Sequence, residues 1–402
     1  MRLVEVGRSG ANYPSIANRI ITPGDVGKAN ITADLVGKRP TGLFTGQWAD
    51  RPMTELTKEA AAMGFHTVNP CTWGDHYNVD IGATSTAYHD DHMQKWTDAG
   101  LLLPTAIETH LVSQLLTENP KMLEVDSERW QQILPKEIWG DGTNPAQIKV
   151  RAKEHTKNAI RAAANAKLPV VVGFMGSPIW HLIYKFPPTD IGQPDGSTLD
   201  LIERGFDKAV EDMADILKVC AEKGVYYAVE VHPTELCFDN ETTMRFIEKL
   251  EEKYPSLAPW FGINFDPSHF LKQGIDPVAA LKAFPPQIVK HIHVKGSVNH
   301  LASYNGVVRT IDGNLRSNLN GHLDFGHTRR ASDFAETGED HIRWTGPNSF
   351  FQALDELQFP GVNEIEHEAA TRDRVDSVTR AARFVTNSQR KLGFGFEKQF
   401  KG

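Results

Sequence analysis

Short apolar stretches alternate with longer amphipathic stretches along most of the chain. The short stretches have the length of buried strands, and the longer ones repeat their apolar positions with a helical period. The pattern predicts strands at Thr41–Thr45, His66–Pro70, Pro104–His110, Pro169–Phe174, Val225–Val231, Phe261–Asp266, Ile288–Lys295 and Val362–His367. It predicts helices at Met53–Met63, His89–Ala99, Ala146–Ala166, Asp200–Glu222, Glu241–Glu252, Pro277–Ala283, Pro347–Glu356 and Thr371–Lys391.

Eight such alternations over roughly 350 residues are typical of an α/β protein of the (β/α)8 TIM barrel type. A doubly wound open sheet is the alternative, but no Gly-x-Gly-x-x-Gly turn follows the first strand. Residues 1–40 carry Gly and Pro at frequent intervals without any period, which predicts an irregular N-terminal arm. We therefore predict one barrel domain over residues 41–402, with a long insertion at 297–343 after the seventh strand.

Composition and charge narrow the class of protein. The chain has 402 residues, of which 40% are hydrophobic and 23% charged, as in ordinary globular proteins. Lys and Arg number 43 against 51 Asp and Glu, for a net charge of -8, so neither a nucleic acid nor a membrane is an expected partner. Three scattered cysteines and the lack of an apolar stretch of about 18 residues favour a cytoplasmic protein.

Four of the predicted strands end in residues of the types that bind metal ions in proteins. Glu230 ends the fifth strand, Asp266 the sixth and His293 the seventh, and the eighth ends in the acidic stretch Glu364–Glu368. The carboxyl ends of all strands surround one mouth of a parallel barrel, so these side chains should converge. An ion pair would explain any one acid alone. Three carboxylates and an imidazole together favour one divalent ion, Mn²⁺ first, then Mg²⁺, Co²⁺ or Zn²⁺.

Further side chains near the predicted mouth are candidates for substrate binding. His232 lies two residues beyond the fifth-strand glutamate and shares its face, and His110 ends the third strand. Lys295 could polarise a carbonyl, and Trp180, in the loop after the fourth strand, could stack on a sugar ring. Glu368 could bind substrate above the eighth strand. For each of them a structural role, such as a salt bridge or core packing, is the alternative.

The segments that carry these residues resemble the xylose-isomerase-like barrels, in particular the bacterial sugar phosphate isomerase/epimerase family. The resemblance covers about Thr41 to Phe384. Its most specific feature is the combination of Asp-Pro-Ser-His at 266–269 with His-x-His-x-Lys at 291–295. It implies one divalent metal ion with His269 beside it. It also selects Glu366 from the acidic stretch, which gives the ligand set Glu230, Asp266, His293 and Glu366.

The resemblance further implies an isomerase or epimerase of a sugar or keto-sugar. Glu230 and Glu366 would be the catalytic residues, which remove and return a proton next to a carbonyl through an enediolate. One departure is that relatives often have Asp after the lysine of the seventh strand, whereas this chain has Gly296. The substrate expected is a small sugar or glycoside without phosphate.

Three other functions remain open from the sequence. A lyase would use the same proton abstraction to cleave a 3-keto-glycoside, C- or O-linked, by β-elimination. Some relatives of that kind work with a partner, so the barrel is compatible with a homo-oligomer or with a hetero-oligomer that includes a small partner subunit. An endonuclease of the same superfamily is disfavoured by the acidic charge. A non-catalytic binding protein is disfavoured by the intact set of metal ligands.

Overall fold

In the computed structural model, residues 19–118, 120–125, 127–183, 198–300 and 332–390 are described. A parallel sheet of eight strands has the order β2-β1-β10-β7-β6-β5-β4-β3. These strands are β1 Thr41–Phe44, β2 Thr67–Asn69, β3 Ala106–Glu108, β4 Val170–Gly173, β5 Tyr226–Glu230, β6 Phe261–Phe265, β7 Val289–Val294 and β10 Asn363–Ile365. Each of the eight predicted strands is present.

A single bridge joins the two ends of this sheet. Cys71, just beyond β2, pairs in parallel with Glu108 of β3. The Thr72 N–H donates to the Glu108 carbonyl at 2.9 Å, and the Glu108 N–H donates to the Pro70 carbonyl at 3.0 Å. The strands therefore form a nearly closed barrel, which confirms the predicted TIM barrel fold.

Helices lie between successive strands, as the hydrophobic pattern predicts. Two of the predicted helices, Met53–Met63 and Pro277–Ala283, agree with the structure at both ends. In the described residues the helices are α1 Met53–Met63, α2 Val79–Gly82, α3 Thr86–Asp98, α4 His110–Ser113, α5 Pro120–Val125, α6 Ser127–Ile133, α7 Lys136–Trp139, α8 Pro145–Asn165, α9 Trp180–Ile183, α10 Thr198–Lys223, α11 Asn240–Lys253, α12 Pro267–Lys272, α13 Pro277–Ala283, α14 Phe350–Glu356 and α15 Arg374–Ser388. None of these is both long and apolar enough to cross a membrane.

Alternation along the strands separates two environments. Every second strand residue faces outward and packs on the helices in the main hydrophobic core, as do Leu43, Val171 and Ile292. The residues between them face the barrel interior. There, β3 to β5 contribute a small apolar cluster, whereas other inward positions are polar and buried: Asn69, Glu108, Asn264, His291 and Glu364. The interior thus has a polar layer directly beneath the mouth.

The described part of the N-terminal arm packs on the barrel of its own chain. Residues 19–40 contain two short 3-10 turns, and Ile21, Ile31 and Leu35 form a buried cluster against Leu102. The Ala29 N–H donates to the carbonyl of Gly100 at 2.8 Å. These contacts lie near the amino ends of β1 and β2. The start of the barrel domain at residue 41 stays a prediction, and residues 1–18 lie outside the described residues.

Two segments of the predicted insertion form a two-stranded hairpin. Strands β8 Gly296–Asn299 and β9 Ser332–Ala335 pair in antiparallel fashion. The ring of Phe334 lies edge-on to that of His269, with 5.9 Å between centroids, and 4.5 Å below the Lys295 ammonium. The hairpin therefore covers one side of the mouth. Residues 301–331 of the insertion lie outside the described residues.

Candidate metal centre

Four side chains converge at the carboxyl ends of neighbouring strands. They are Glu230 of β5, Asp266 directly after β6, His293 of β7 and Glu366 directly after β10, and one ligand atom of each lies within 4.8 Å of the others. All four are buried. The His293 Nδ1 atom is 3.4 Å from Glu230 Oε2 and 3.0 Å from Glu366 Oε2. The structure thus brings together the four ligands that the strand ends and the resemblance suggested.

The backbone after β6 positions Asp266. This residue is the N-cap of α12, and its Oδ1 atom accepts a hydrogen bond from the Ser268 N–H at 2.8 Å. Pro267 occupies the first turn of the helix, where a missing N–H costs nothing. Since the cap uses one oxygen, Oδ2 is left to face the cluster, where it lies 3.0 Å from Lys295 Nζ. Capping therefore sets the orientation of a candidate ligand.

A carboxylate beneath the cluster orients His293. Glu108 Oε2 lies 3.0 Å from His293 Nε2, and it accepts a hydrogen bond when that nitrogen carries the proton. The imidazole then presents Nδ1 to Glu230 and Glu366. Phe44 stacks on the ring at 5.4 Å, with 21° between the planes, and limits its rotation. Such a carboxylate partner fixes the tautomer of a metal-binding histidine.

Sequence reasoning missed Glu108, although a signal was available. Glu108 lies two residues before His110 in the predicted third strand, so the alternation places both on one face; in the structure β3 ends at Glu108 and His110 begins α4. Burial raises its pKa well above the usual range, and the nearby Glu364 adds to the shift, while His293 opposes it. Oε1 of Glu108 and Oε1 of Glu364 are both buried without a hydrogen-bond partner in the part of the chain that the structure describes.

The polar layer continues below Glu108. His291 Nε2 lies 2.7 Å from Glu364 Oε2, and Asn69 donates to the same oxygen. The other nitrogen of His291, Nδ1, is 3.1 Å from the side-chain oxygen of Asn264. Burial alone would raise the pKa of Glu364, but His291 outweighs it and holds that pKa below its usual value. Glu364 thus pairs with His291 in this deeper layer, whereas Glu366 pairs with His293 at the mouth.

Histidines surround the Glu230 carboxylate. His110 Nε2 lies 2.8 Å from Oε2, and His269 Nε2 lies 2.9 Å from Oε1. Burial pushes the pKa of Glu230 up, but His293, His110 and His269 together hold it well below its usual value. The ring of His232 packs edge-on against His269, with centroids 4.0 Å apart. His110 and His269 therefore contact a candidate ligand, while His232 supports His269.

Lys295 joins the acids on the other side of the cluster. Its Nζ atom lies 2.7 Å from Glu366 Oε2, 2.9 Å from Glu368 Oε2 and 3.0 Å from Asp266 Oδ2. Burial would lower the pKa of this ammonium, but the three acids raise it well above its usual value. Lys295 therefore forms salt bridges, which was the alternative to substrate binding. Its amino group lies at the edge of the mouth, beside Glu368.

Two further residues frame the mouth. Gln47, in the turn after β1, donates to Glu366 Oε1 at 2.8 Å, which sequence reasoning did not anticipate. Trp180 begins α9, and its ring packs edge-on against Phe238 with centroids 5.5 Å apart. It lies among the loops after β4 and β5. That Trp180 contacts a substrate stays a prediction.

The donor set fits a hard divalent cation. The buried carboxylates of Glu230, Asp266 and Glu366 and the partly exposed carboxylate of Glu368 lie around the ammonium of Lys295. In the chain as described, His293 Nδ1 has no hydrogen-bond partner although it faces two of these acids. An added positive charge would balance the acids and satisfy this nitrogen. Oxygen donors with one imidazole suit Mn²⁺, Mg²⁺ or Co²⁺, with Zn²⁺ as a further choice.

Comparison with protein families gives a direct match. A family profile described as "Xylose isomerase-like TIM barrel" matches residues 57–388 of the chain. The chain belongs to the xylose isomerase-like TIM barrel family. No curated protein sequence matches it.

Solved structures similar to this xylose isomerase-like barrel share its fold at low sequence identity. A probable 3-DHS dehydratase, AsbF of Bacillus anthracis, is 15% identical with a TM-score of 0.53, and the match covers 87% of this chain and 99% of that one. The IolI protein with a bound zinc atom is 12% identical with a TM-score of 0.52, covering 88% and 100%. A xylose isomerase-like protein of Mycobacterium smegmatis in complex with magnesium is 12% identical with a TM-score of 0.50, covering 87% and 96%.

A first prediction for this xylose isomerase-like barrel concerns Glu108. Glu108→Gln keeps the shape of the side chain but replaces the carboxyl group that fixes the tautomer of His293 by an amide, which can turn its NH₂ group to Nε2, so we expect metal affinity to fall about 10- to 100-fold. Isothermal titration with Mn²⁺ measures this. The exposed Glu356→Gln, in α14, is the matched control and should leave the affinity unchanged. Equal affinities for the wild type and Glu108→Gln would contradict the role assigned to Glu108.

A second prediction concerns Glu235, which anchors the loop after β4. Its Oε2 atom accepts hydrogen bonds from the N–H groups of Met175, at 2.8 Å, and Gly176. Burial raises its pKa from 4.5 to about 8. The folded protein therefore holds a proton that the unfolded chain releases between these values, so stability should fall as pH rises through this window, by at most about 1.4 kcal/mol per pH unit.

Glu235→Gln removes this proton and its pH dependence. Urea unfolding from pH 5 to 8.5 should show the variant gaining stability relative to the wild type as pH rises. The measurement compares the difference in free energy of unfolding at each pH. Parallel curves for the two proteins would show that Glu235 is ionised in both the folded and unfolded states.

Proposed function

We propose that the protein is a divalent-metal-dependent isomerase or epimerase of a sugar or keto-sugar. The observation that carries the proposal is the placement of two carboxylates against one imidazole nitrogen. Glu230 and Glu366 each direct an oxygen at His293 Nδ1, and each has its own set of hydrogen-bond partners. Proton removal from one face of a carbon and its return from another face requires two such groups.

In the proposed reaction, some residues hold the metal ion and others orient the two glutamates. When bound, a divalent ion held by Glu230, Asp266, His293 and Glu366 supplies charge stabilisation for the enediolate that forms as the proton leaves. His110 and His269 hold both oxygens of the Glu230 carboxylate and so orient it towards the substrate carbon. Gln47 and Lys295 do the same for Glu366. Burial of these groups excludes water and preserves the reactive carbanion.

We propose Mn²⁺ as the ion, with Mg²⁺, Co²⁺ and Zn²⁺ as alternatives. The oxygen-rich donor set supports a hard ion. The magnesium complex of the Mycobacterium smegmatis protein and the zinc-bound IolI protein are compatible with this range. We further propose that the substrate is a small, unphosphorylated sugar or glycoside. The cytoplasmic location and the oligomeric state stay predictions.

Turnover in D₂O tests the proposed reaction. The protein is stripped with a chelator, reloaded with Mn²⁺ and incubated with a panel of ketoses and 3-keto-glycosides, and the products are examined by mass spectrometry. We expect an isomeric product that carries solvent deuterium, and no product from the stripped protein. Turnover that survives metal removal, or a product without deuterium, would contradict the proposal.

A lyase is the second candidate, and Lys295 favours it. Its buried ammonium lies 2.7 Å from Glu366 and 2.9 Å from Glu368, so the second face of the site carries a cation as well as a carboxylate. After Glu230 removes the proton, this positive charge could stabilise the negative charge that develops on a departing β-substituent. The same mass measurement separates the two reactions, because a lyase releases an aglycone and an isomerase conserves the mass of its substrate.

A further inference from the structure

A cavity of about 410 Å³ opens beside the metal centre, between the segments that follow β2 and β3. We refer to it as the outer cavity. Its wall includes Trp73 and Asn78 from the first segment, and Leu111 and Ile133 from the second. Glu137 of α7 and His155 of α8 complete the polar part of the wall. Sequence reasoning did not foresee this cavity, because it depends on how two irregular segments pack.

The outer cavity adjoins the candidate site through a short series of rings. Trp73 packs edge-on against Phe44, with centroids 6.0 Å apart, and Phe44 stacks on His293 at 5.4 Å. Leu111, on the other wall, directly follows His110, which contacts Glu230. Only one aromatic ring therefore lies between Trp73 and a candidate metal ligand. A second ring joined to a sugar at the metal centre would therefore have to span two ring contacts, that of His293 with Phe44 and that of Phe44 with Trp73, to enter this space.

The wall combines the two kinds of surface that a hydroxylated ring needs. Trp73, Leu111 and Ile133 offer apolar contact. His155 is 6% exposed, and its Nε2 atom lies 3.2 Å from the hydroxyl of Thr72. Burial lowers the pKa of His155 and favours its neutral imidazole, in which Nδ1 is the nitrogen that does not face Thr72. Glu137, also in the wall, adds an acceptor for a hydroxyl group.

We infer that the outer cavity binds a second, hydroxylated ring that is joined to the reacting sugar. The substrate is then a disaccharide or a phenolic glycoside, in keto form, and not a free monosaccharide. The volume is within the range of about 300–1,000 Å³ that small-molecule sites occupy, although the metal centre is not part of the cavity. This inference rests on the proposed function, since the metal centre must hold the first ring.

The test compares three compounds and two variants. The compounds are the 3-keto forms of methyl β-D-glucopyranoside, cellobiose and 4-hydroxyphenyl β-D-glucopyranoside, of which only the last two have a second ring. Ile133→Trp adds bulk from the half-buried wall into the cavity. Val150→Trp, at a position 56% exposed on α8, adds the same side chain outside it. We expect a second ring to raise kcat/KM about tenfold or more, and Ile133→Trp alone to remove this gain.

The three compounds distinguish a sugar ring from an aglycone, and they separate failure of the cavity assignment from failure of the proposed function. A gain for cellobiose alone identifies a sugar ring, and a gain for the phenolic compound alone identifies an aglycone. No gain from either ring, or an equal loss for all three compounds in Ile133→Trp, would overturn the assignment of the cavity. If neither these compounds nor the ketoses of the wider panel are turned over, the proposed function fails. The affinities of the same compounds, measured by calorimetry, then test the cavity alone. Tighter binding of the two-ring compounds that is lost in Ile133→Trp would support the assignment of the cavity. Equal affinities for all three compounds would refute it.

Discussion

Glu230→Gln should lower kcat by about a thousandfold or more and should abolish tight metal binding. The substitution preserves shape but removes the negative charge that three imidazoles contact, those of His110, His269 and His293. It also removes one of the two groups that we propose to transfer the proton, and general acid–base groups contribute about 10²–10⁴-fold to a rate. Turnover of the substrate panel and metal content by mass spectrometry of the purified protein measure the two effects.

The matched control for Glu230→Gln is Glu211→Gln. Glu211 is half-exposed on α10 and pairs only at the surface with Lys253, so its loss should change neither kcat nor metal content. Circular dichroism should show both variants folded. A Glu230→Gln protein that retains full metal content together with wild-type turnover would remove Glu230 from the site altogether.

Lys295→Met should produce the largest loss of stability, and metal should reverse much of it. In the metal-free protein this ammonium is the buried cation that lies between Asp266, Glu366 and Glu368. Removal of one partner from a buried charge cluster costs about 3–5 kcal/mol, because the remaining charges are left without compensation. We therefore expect a lower free energy of unfolding in chelator, and a much smaller deficit when Mn²⁺ neutralises the same acids. Urea unfolding under both conditions measures the difference.

Lys282→Met is the control for this prediction. Lys282 pairs with Glu356 on the surface, where both side chains are about one-third or more exposed. Solvent screens such a pair, so its loss should have little effect with or without metal. If Lys295→Met were as stable as the wild type in chelator, the ammonium would not be compensating the acids. A deficit that metal leaves unchanged would argue that the acids are not metal ligands.

The convergence of the candidate ligands could be predicted from the sequence because each of them lies at the carboxyl end of a predicted strand. Each strand of a parallel barrel ends at the same mouth, so a strand ending at Glu230 and another at His293 must bring these residues near each other. The alternation of strand residues also indicates a second layer of polar side chains in the barrel interior. Glu108, His291 and Glu364 share faces with His110, His293 and Glu366, and the structure places them one layer deeper.

Other features depend on distances between strands, which no local pattern encodes. The sequence left Glu364, Glu366 and Glu368 equivalent by periodicity. The structure separates them by depth, since Glu364 contacts His291 while Glu368 contacts Lys295 at the rim. The partnership of His110 with Glu230 joins residues 120 positions apart. It arises from the curvature of the sheet, whereas the outer cavity arises from the packing of the two irregular segments that follow β2 and β3.

Anomalous diffraction from crystals soaked in Mn²⁺ is the most direct test of the metal centre. The account predicts one strong peak within about 2.5 Å of oxygen or nitrogen atoms from Glu230, Asp266, His293 and Glu366, with Nδ1 as the histidine donor. The same peak should be lost in Glu230→Gln crystals. No peak at this mouth, or a peak bound by other residues, would contradict the assignment of these four side chains as the metal site.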